Sequence, residues 1–293
     1  MSKKKKSMII VIAVFLTIIA GLVIWFNISY SSLKSEFNGD VERLVGNYHA
    51  DDEGELFREE DIKALPMPVQ RYFKSCGYIG TPKMSSLFME YRDVSFKQGK
   101  DGPNLKIDYY QYDLVKEPIR VAFIDSSMFG IPFQGYDYYT DGVGGMKGVI
   151  AKMITIFDTK GPEMDQACLV TYLAESPFAP SILLSGNITW EEINDHEVKA
   201  SITYKGQTAS GVFTFNDQYE YVSFKTEDRA VSGNDGTVEK MPWSAVCEDY
   251  KEAPNGIRYP STFKAVWHYP EGDFVYFDGK ISSISYDKAI KVK

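Results

Sequence analysis

The sequence predicts an α+β protein: an N-terminal transmembrane helix, then a large curved antiparallel β-sheet with helices packed on one face. Three observations carry this. One long uncharged apolar run stands near the start of the chain. From Lys83 onward apolar residues recur with period two between short turns, the spacing of strands whose side chains alternate between faces. An apolar stretch with helical spacing, residues 161–184, interrupts the strands.

The apolar run, Met8–Ile28, holds 21 residues without a charge, and only Thr17 and Asn27 are strongly polar. At 1.5 Å per residue it spans about 31 Å, which matches a hydrocarbon core of about 30 Å. Trp25 and Phe26 fall at its outer end, where aromatic rings favour the interface. Lys3, Lys4, Lys5 and Lys6 precede it, so the positive-inside rule places the N-terminus in the cytoplasm. A cleaved signal peptide would have an apolar core of ~7–15 residues followed by a small-x-small site. Asn27-Ile28-Ser29-Tyr30 offers no such site. The expected organisation is a basic cytoplasmic tail (1–7), a signal anchor (8–28), a polar stalk (29–54) and an extracytoplasmic β-rich domain (55–293). The protein is thus expected in the cell membrane, single-pass, with its C-terminal domain outside.

Composition narrows the partners. Of the 32 Lys and Arg, 28 lie beyond the apolar run, against 40 Asp and Glu, a net −12. An acidic domain disfavours nucleic acid and anionic headgroups as electrostatic partners. Three cysteines, Cys76, Cys168 and Cys247, make no CxxC pair, which excludes a zinc ribbon. They fit small apolar core groups better than a disulfide framework. Aromatic residues reach 14%, a bias that suits strands.

Within 29–54 the acidic run Asp51-Asp52-Glu53 lacks the alternating ligand spacing of a calcium loop. Leu56, Ile62 and Leu65 supply a partial helical stripe. Pro68 suits the first turn of a helix reaching Cys76, with Gly77 closing it. Val69, Tyr72, Phe73 and Cys76 then share one buried face.

The strands expected are Lys83–Phe96, Leu105–Asp113, Ile119–Ile124, Gln134–Thr140, Gly148–Phe157, Asn187–Glu192, Val198–Tyr204, Gln207–Phe215, Tyr219–Thr226, Trp243–Lys251, Ile257–Tyr269 and Phe274–Tyr286. Turn residues such as Lys205-Gly206, Asn216-Asp217, Asn234-Asp235-Gly236 and Asp278-Gly279 separate them. Spacing this close leaves no room for crossover helices, so the sheet is antiparallel. In the interruption, Gly161-Pro162-Glu163 opens a helix with proline in its first turn and an acid near its positive end. It stops at Pro177, and Pro180 starts a second short turn.

No strong catalytic constellation stands out. The three histidines are His49, His196 and His268, and Gly-x-Ser-x-Gly does not occur. No HExxH or paired-cysteine spacing points to a metal, and none is expected, nor any cofactor. Gly142-Val143-Gly144-Gly145 lacks the Lys-Ser/Thr of a phosphate loop and reads as a hairpin turn. Charges inside apolar runs are the more telling signal. Glu175 closes Tyr172-Leu173-Ala174, at the negative end of its helix, and a carboxylate there must be paired or have a raised pKa. Arg71 and Arg229, in that order, are the expected partners. Structural pairing is favoured over a polar anchor in a ligand cavity, and both over general acid catalysis.

Several stretches recur together in an ordered set: Leu65-Pro66-Met67-Pro68-Val69-Gln70-Arg71-Tyr72-Phe73, Gly135-Tyr136-Asp137-Tyr138-Tyr139-Thr140-Asp141-Gly142, Tyr172-Leu173-Ala174-Glu175 through Ala179-Pro180, and Asp228-Arg229 with Pro242-Trp243. They resemble an uncharacterised family of prokaryotic, often membrane-anchored β-rich proteins. The resemblance covers residues 60 to 290. Where that family usually has Arg before its Tyr-Leu-Ala-Glu run, and Trp at 178, this chain has Thr171 and Phe178. The layout is also similar to the half-barrel of bacterial lipoprotein carriers, which hold acyl chains against a concave sheet. The first expectation is a domain that binds an apolar or amphipathic ligand, lipid or lipoprotein-like, on the concave face. Its ligand-binding residues would be Asp137, Tyr139, Tyr172, Glu175, Phe178, Arg229 and Trp243. The rivals are an envelope hydrolase using a buried carboxylate, Glu175 or Asp137, and a structural or interaction domain with a filled core. The balance leans away from an enzyme.

Overall fold

The computed structural model describes residues 2–48, 54–97, 99–100, 102–232, 238–253 and 255–292. His49, the acidic run Asp51-Asp52-Glu53 and the turn at Asn234-Asp235-Gly236 lie outside the described residues. Helices α1 (Lys3–Asn27) and α2 (Ser32–Tyr48) come first, then short α3 (Glu59–Ile62) and α4 (Met67–Ser75). Six strands follow: β1 (Ser86–Lys97), β2 (Asn104–Leu114), β3 (Ile119–Met128), β4 (Ile131–Thr140), β5 (Val143–Ile150) and β6 (Ile154–Lys160). Helix α5 (Pro162–Glu175) and 3₁₀ turns at Ser176–Phe178 and Pro180–Leu184 separate these from the second block. That block is β7 (Ile188–Asn194), β8 (Glu197–Tyr204), β9 (Gln207–Phe215), β10 (Tyr221–Thr226), β11 (Ala230–Ser232), β12 (Val238–Lys240), β13 (Trp243–Glu252), β14 (Arg258–Tyr269) and β15 (Gly272–Tyr286).

Among the described residues, thirteen strands form one antiparallel sheet in the order β6-β5-β4-β3-β2-β1-β15-β14-β13-β10-β9-β8-β7, while β11 and β12 pair as a separate hairpin. The edge strands β6 and β7 do not meet, so the sheet is an open half-barrel. Register shifts in β1 beside Tyr91 and in β14 between Ala265 and Val266 mark bulges, which bend strands. Helix α1 is long and apolar enough to cross a membrane, and none of its residues is buried in the protein.

Helices α4 and α5 and the 3₁₀ turns cover the inner face, where Tyr72, Phe73, Leu169, Leu173, Phe178, Phe213, Phe224 and Trp243 share one core. Proline at the start of α4 and of α5 and the positive φ of Gly77 after α4 match the helix signals in the sequence. Gly144 decides how close α5 lies. A Cβ there would stand 2.8 Å from the Met164 carbonyl oxygen and from Cys168 Sγ.

Two expectations are corrected. The described part of the expected stalk is not free, because α2 (32–48) buries Leu33, Phe37, Val41, Leu44 and Val45 against the outer face of β2, β3 and β4. Their i, i+4, i+8, i+11, i+12 spacing makes an apolar stripe inside a polar composition. The Asn38 side chain also donates to the Val292 carbonyl at 3.0 Å, and Tyr136 donates its hydroxyl hydrogen to Asp40. The expected strand Gly148–Phe157 is two strands, β5 and β6. Ala151 and Lys152 turn the chain between them at positive φ without the usual Asn or Gly.

Candidate functional site

The register of β2, β3 and β4 sets the floor of the site. Arg120 on β3 stands directly opposite Asp113 on β2, and Asp137 on β4 lies diagonal to it. Gln111 and Tyr109 follow Asp113 along the same face, two residues apart. Arg120 is 3% exposed, and every arm of its guanidinium is used. Its Nε donates to Glu175 Oε2 at 2.9 Å and its Nη1 to Asp137 Oδ2 at 2.6 Å. Its Nη2 donates to the Tyr109 hydroxyl and to Gln111 Oε1. Gln111 Nε2 donates in turn to Glu175 Oε2 at 2.7 Å and to Asp113 Oδ2 at 2.8 Å. Helix α5 supplies Glu175 from above, as its last residue.

Burial governs the electrostatics. The Asp113 carboxyl is pushed up to about 8, by loss of solvent first and by the Glu175 charge second, against the pull of Arg120. The Arg120 guanidinium is held well above its ordinary value, because Glu175, Tyr109, Asp137 and Asp113 outweigh the cost of its burial. All three cysteines are free and buried, and burial pushes each thiol up, Cys76 to about 12.

Beside this floor an aromatic wall rises from the other half of the sheet. Trp243 on β13 pairs across the ladder with Trp267 on β14. Arg229, just before β11, lays its guanidinium over both indoles, 4.5 Å and 5.3 Å from the ring centres. Its Nη1 donates to Thr171 Oγ1 at 3.1 Å, while its Nε is buried without a hydrogen-bond partner. Among the described residues no carboxylate pairs with it. Arg120, Glu175, Asp137, Arg229 and Trp243, with Tyr91, Phe263 and Phe277, line a cavity under α5. It is partly open to solvent and has a volume of about 170 Å³. A cavity of that size matches one aromatic ring or a short run of methylenes.

Four of the seven residues expected from sequence, Asp137, Glu175, Arg229 and Trp243, meet at this cavity. Three do not line it, because they are spent in packing. The Tyr172 hydroxyl donates to the Leu114 carbonyl at 2.6 Å. Tyr139 donates to Gln207 and packs edge-on to Tyr204. Phe178 packs on Phe263. The partner of Glu175 is Arg120, neither Arg71 nor Arg229. Arg71 instead donates to the Tyr219 hydroxyl. Arg120 meets the same criterion that singled out Glu175, a charge within an apolar run, Ile119-Arg120-Val121-Ala122-Phe123-Ile124. Asp113 and Gln111 carry a weaker signal in the sequence, because the apolar partners in their alternation, Tyr110, Tyr112 and Leu114, face α2 outside.

On the outer face, Ser244 Oγ lies 2.8 Å from His268 Nε2, and His268 Nδ1 lies 2.7 Å from Asp273 Oδ1. The order of contacts is that of a serine hydrolase. Ser244 sits inside β13, however, between Lys225 and Val266, where ladder bonds consume the N–H groups an oxyanion hole would need. Among the described residues no group of three or more His, Cys, Asp or Glu is placed to hold a metal ion.

An open antiparallel half-barrel with an inner cavity under an inserted helix is the class that fold and site define. Residues 55–279 match a family of unknown function, DUF6544, and the chain belongs to that family. Two solved structures are similar to it at a low level. One is a putative outer membrane lipoprotein-sorting protein domain from Vibrio parahaemolyticus, 11% identical, TM-score 0.39, over 74% of this chain and 91% of that one. The other is a DUF1329 family protein from Desulfovibrio piger, 10% identical, TM-score 0.39, over 75% and 92%. No curated protein matches the chain.

Proposed function

We propose that this chain is a membrane-anchored, extracytoplasmic binding protein whose inner cavity takes an amphipathic ligand with one acid group. The observation that supports it is Arg229. A guanidinium stacked on two indoles is a platform for carboxylate or phosphate, which it binds through paired N–H groups. Here the only hydrogen-bond acceptor it has among the described residues is a neutral hydroxyl, Thr171, and its Nε has none. The nearby Tyr91, Phe263 and Phe277 supply apolar surface for the ligand's other end. Because the cavity is small and open, only a segment of the apolar part lies inside and the rest leaves by the mouth. Helix α1 anchors the domain, and Lys3, Lys4, Lys5 and Lys6 orient the N-terminus to the cytoplasm.

The test is native mass spectrometry of the full chain from zwitterionic nanodiscs, incubated with myristate, with dodecyl phosphate or with the uncharged tetradecanol. Adducts of one or both acids are expected, with tetradecanol about tenfold weaker or more, the worth of one to two charge-assisted hydrogen bonds. Arg229→Gln should lose the acid adducts while keeping its melting temperature. The carboxylate and phosphate arms tell the two headgroup chemistries apart. Equal binding of acid and alcohol, or Arg229→Gln binding as wild type, overturns the anion reading, and no adduct at all overturns the cavity reading.

A further inference from the structure

We infer that the chain touches the bilayer at a second place: the tips of the β3–β4 and β5–β6 hairpins dip into the same membrane that α1 crosses. At one tip Phe129 is 98% exposed, followed by Ile131 at 37%; at the other Met153 is 61%, Ile154 58% and Ile156 49% exposed. The two tips lie at one end of the sheet, since Phe133 on β4 pairs with Ile150 on β5 and the Ala151 N–H donates to the Pro132 carbonyl at 2.7 Å. A cluster of large apolar side chains at one end of an acidic domain is an interaction surface.

What covers it follows from the end of α1. Trp25 Nε1 donates to the Ala151 carbonyl at 2.9 Å, and the Lys152 ammonium donates to the Ile28 carbonyl. The β5–β6 turn is thereby tied to the level at which an interfacial tryptophan marks the membrane boundary. Gly130 and Lys152 border the same groove as Phe26 and Ile28. The apolar tips therefore continue the surface of a helix whose own partner is lipid.

The backbone adds an independent sign. Phe129 and Gly130 make the β3–β4 turn with φ of 53° and 77°. Such a turn favours asparagine followed by glycine, and a bulky ring at positive φ is an outlier. Phe129 buries nothing within the protein to offset that strain, so its ring needs a partner outside.

Environment-sensitive labelling tests this on the full chain in phosphatidylcholine vesicles. The three native cysteines are buried, so a nitrobenzoxadiazole maleimide should label an introduced cysteine alone. Phe129→Cys and Met153→Cys place the dye at the two tips. Ile193→Cys, exposed at the far sheet edge on β7, is the reference. Blue-shifted emission at both tips, quenched several-fold more than at 193 by nitroxide-labelled lipid, is expected. Emission and quenching equal to those at 193 overturn the inference. Because the inference rests on α1 being in the membrane, flotation of each labelled chain with the vesicles is read alongside. Chains that float with water-exposed dye refute the tips alone; chains that do not float refute the anchor as well.

Discussion

Arg120 and Glu175 meet at 2.9 Å although 55 residues separate them, and the contact closes α5 onto the floor of the half-barrel. Glu175 stands at the C-terminal end of that helix, where the dipole disfavours an anion, so the guanidinium offsets both the dipole and the desolvation. Glu175→Ala should cost roughly 3–5 kcal/mol, as breaking a buried pair does. Arg120→Met should cost at least as much, since it leaves Glu175 and Asp137 facing each other without a cation. Urea unfolding of both variants checks this. An unchanged midpoint in Glu175→Ala would show that the pair does not hold the helix.

Asp113 gives the fold a pH dependence. Its carboxyl rises from an ordinary 3.8 to about 8, so the folded state holds a proton that the unfolded state has lost across that window. Stability from this group is complete below pH 4 and is lost as pH climbs through 8, at up to about 1.4 kcal/mol per pH unit. Asp113→Asn keeps a hydrogen-bond acceptor for Gln111 and removes the titration. Its thermal melts should vary less than wild type between pH 5 and 8.5, with the gap widest at the alkaline end. Parallel curves for the two proteins would assign the proton elsewhere.

Much of this architecture was legible in the residues. Period-two alternation and turn chemistry gave the antiparallel sheet, and Pro162 and Pro177 bracketed α5. Charge within apolar sequence found Glu175, and applied to Ile119–Ile124 it would have found Arg120. Three things were hidden for physical reasons. Alternation tells which residues share a face but not which face is inner, and β2 and β3 turn their apolar sets outward to α2. A loop with Phe129 or Ala151-Lys152 at positive φ also breaks the residue preferences by which turns are recognised. The cavity itself depends on α5 standing off β1, β14 and β15, a long-range distance that no local pattern encodes.

Helix α2 is polar in composition, yet one apolar stripe docks it on the sheet. Phe37 is fully buried and touches Tyr112, Phe123 and Tyr136, with ring centres 5.9 to 6.3 Å apart. Those three rings belong to the outer face of β2, β3 and β4, the strands whose inner face carries Arg120, Asp113 and Asp137. If α2 were a stalk, truncating Phe37 would be close to neutral, as surface changes are. Docked as it is, Phe37→Ala should cost roughly 3–5 kcal/mol, the range for a buried phenylalanine. The loss should also reach the inner site, because the same three strands hold both. Hydrogen exchange on the full chain reads both effects at once. Faster exchange is expected in α2 and in β2 to β4 together, with β7 to β9 unchanged. Faster exchange confined to α2 would mean that the helix rests on the sheet without supporting it.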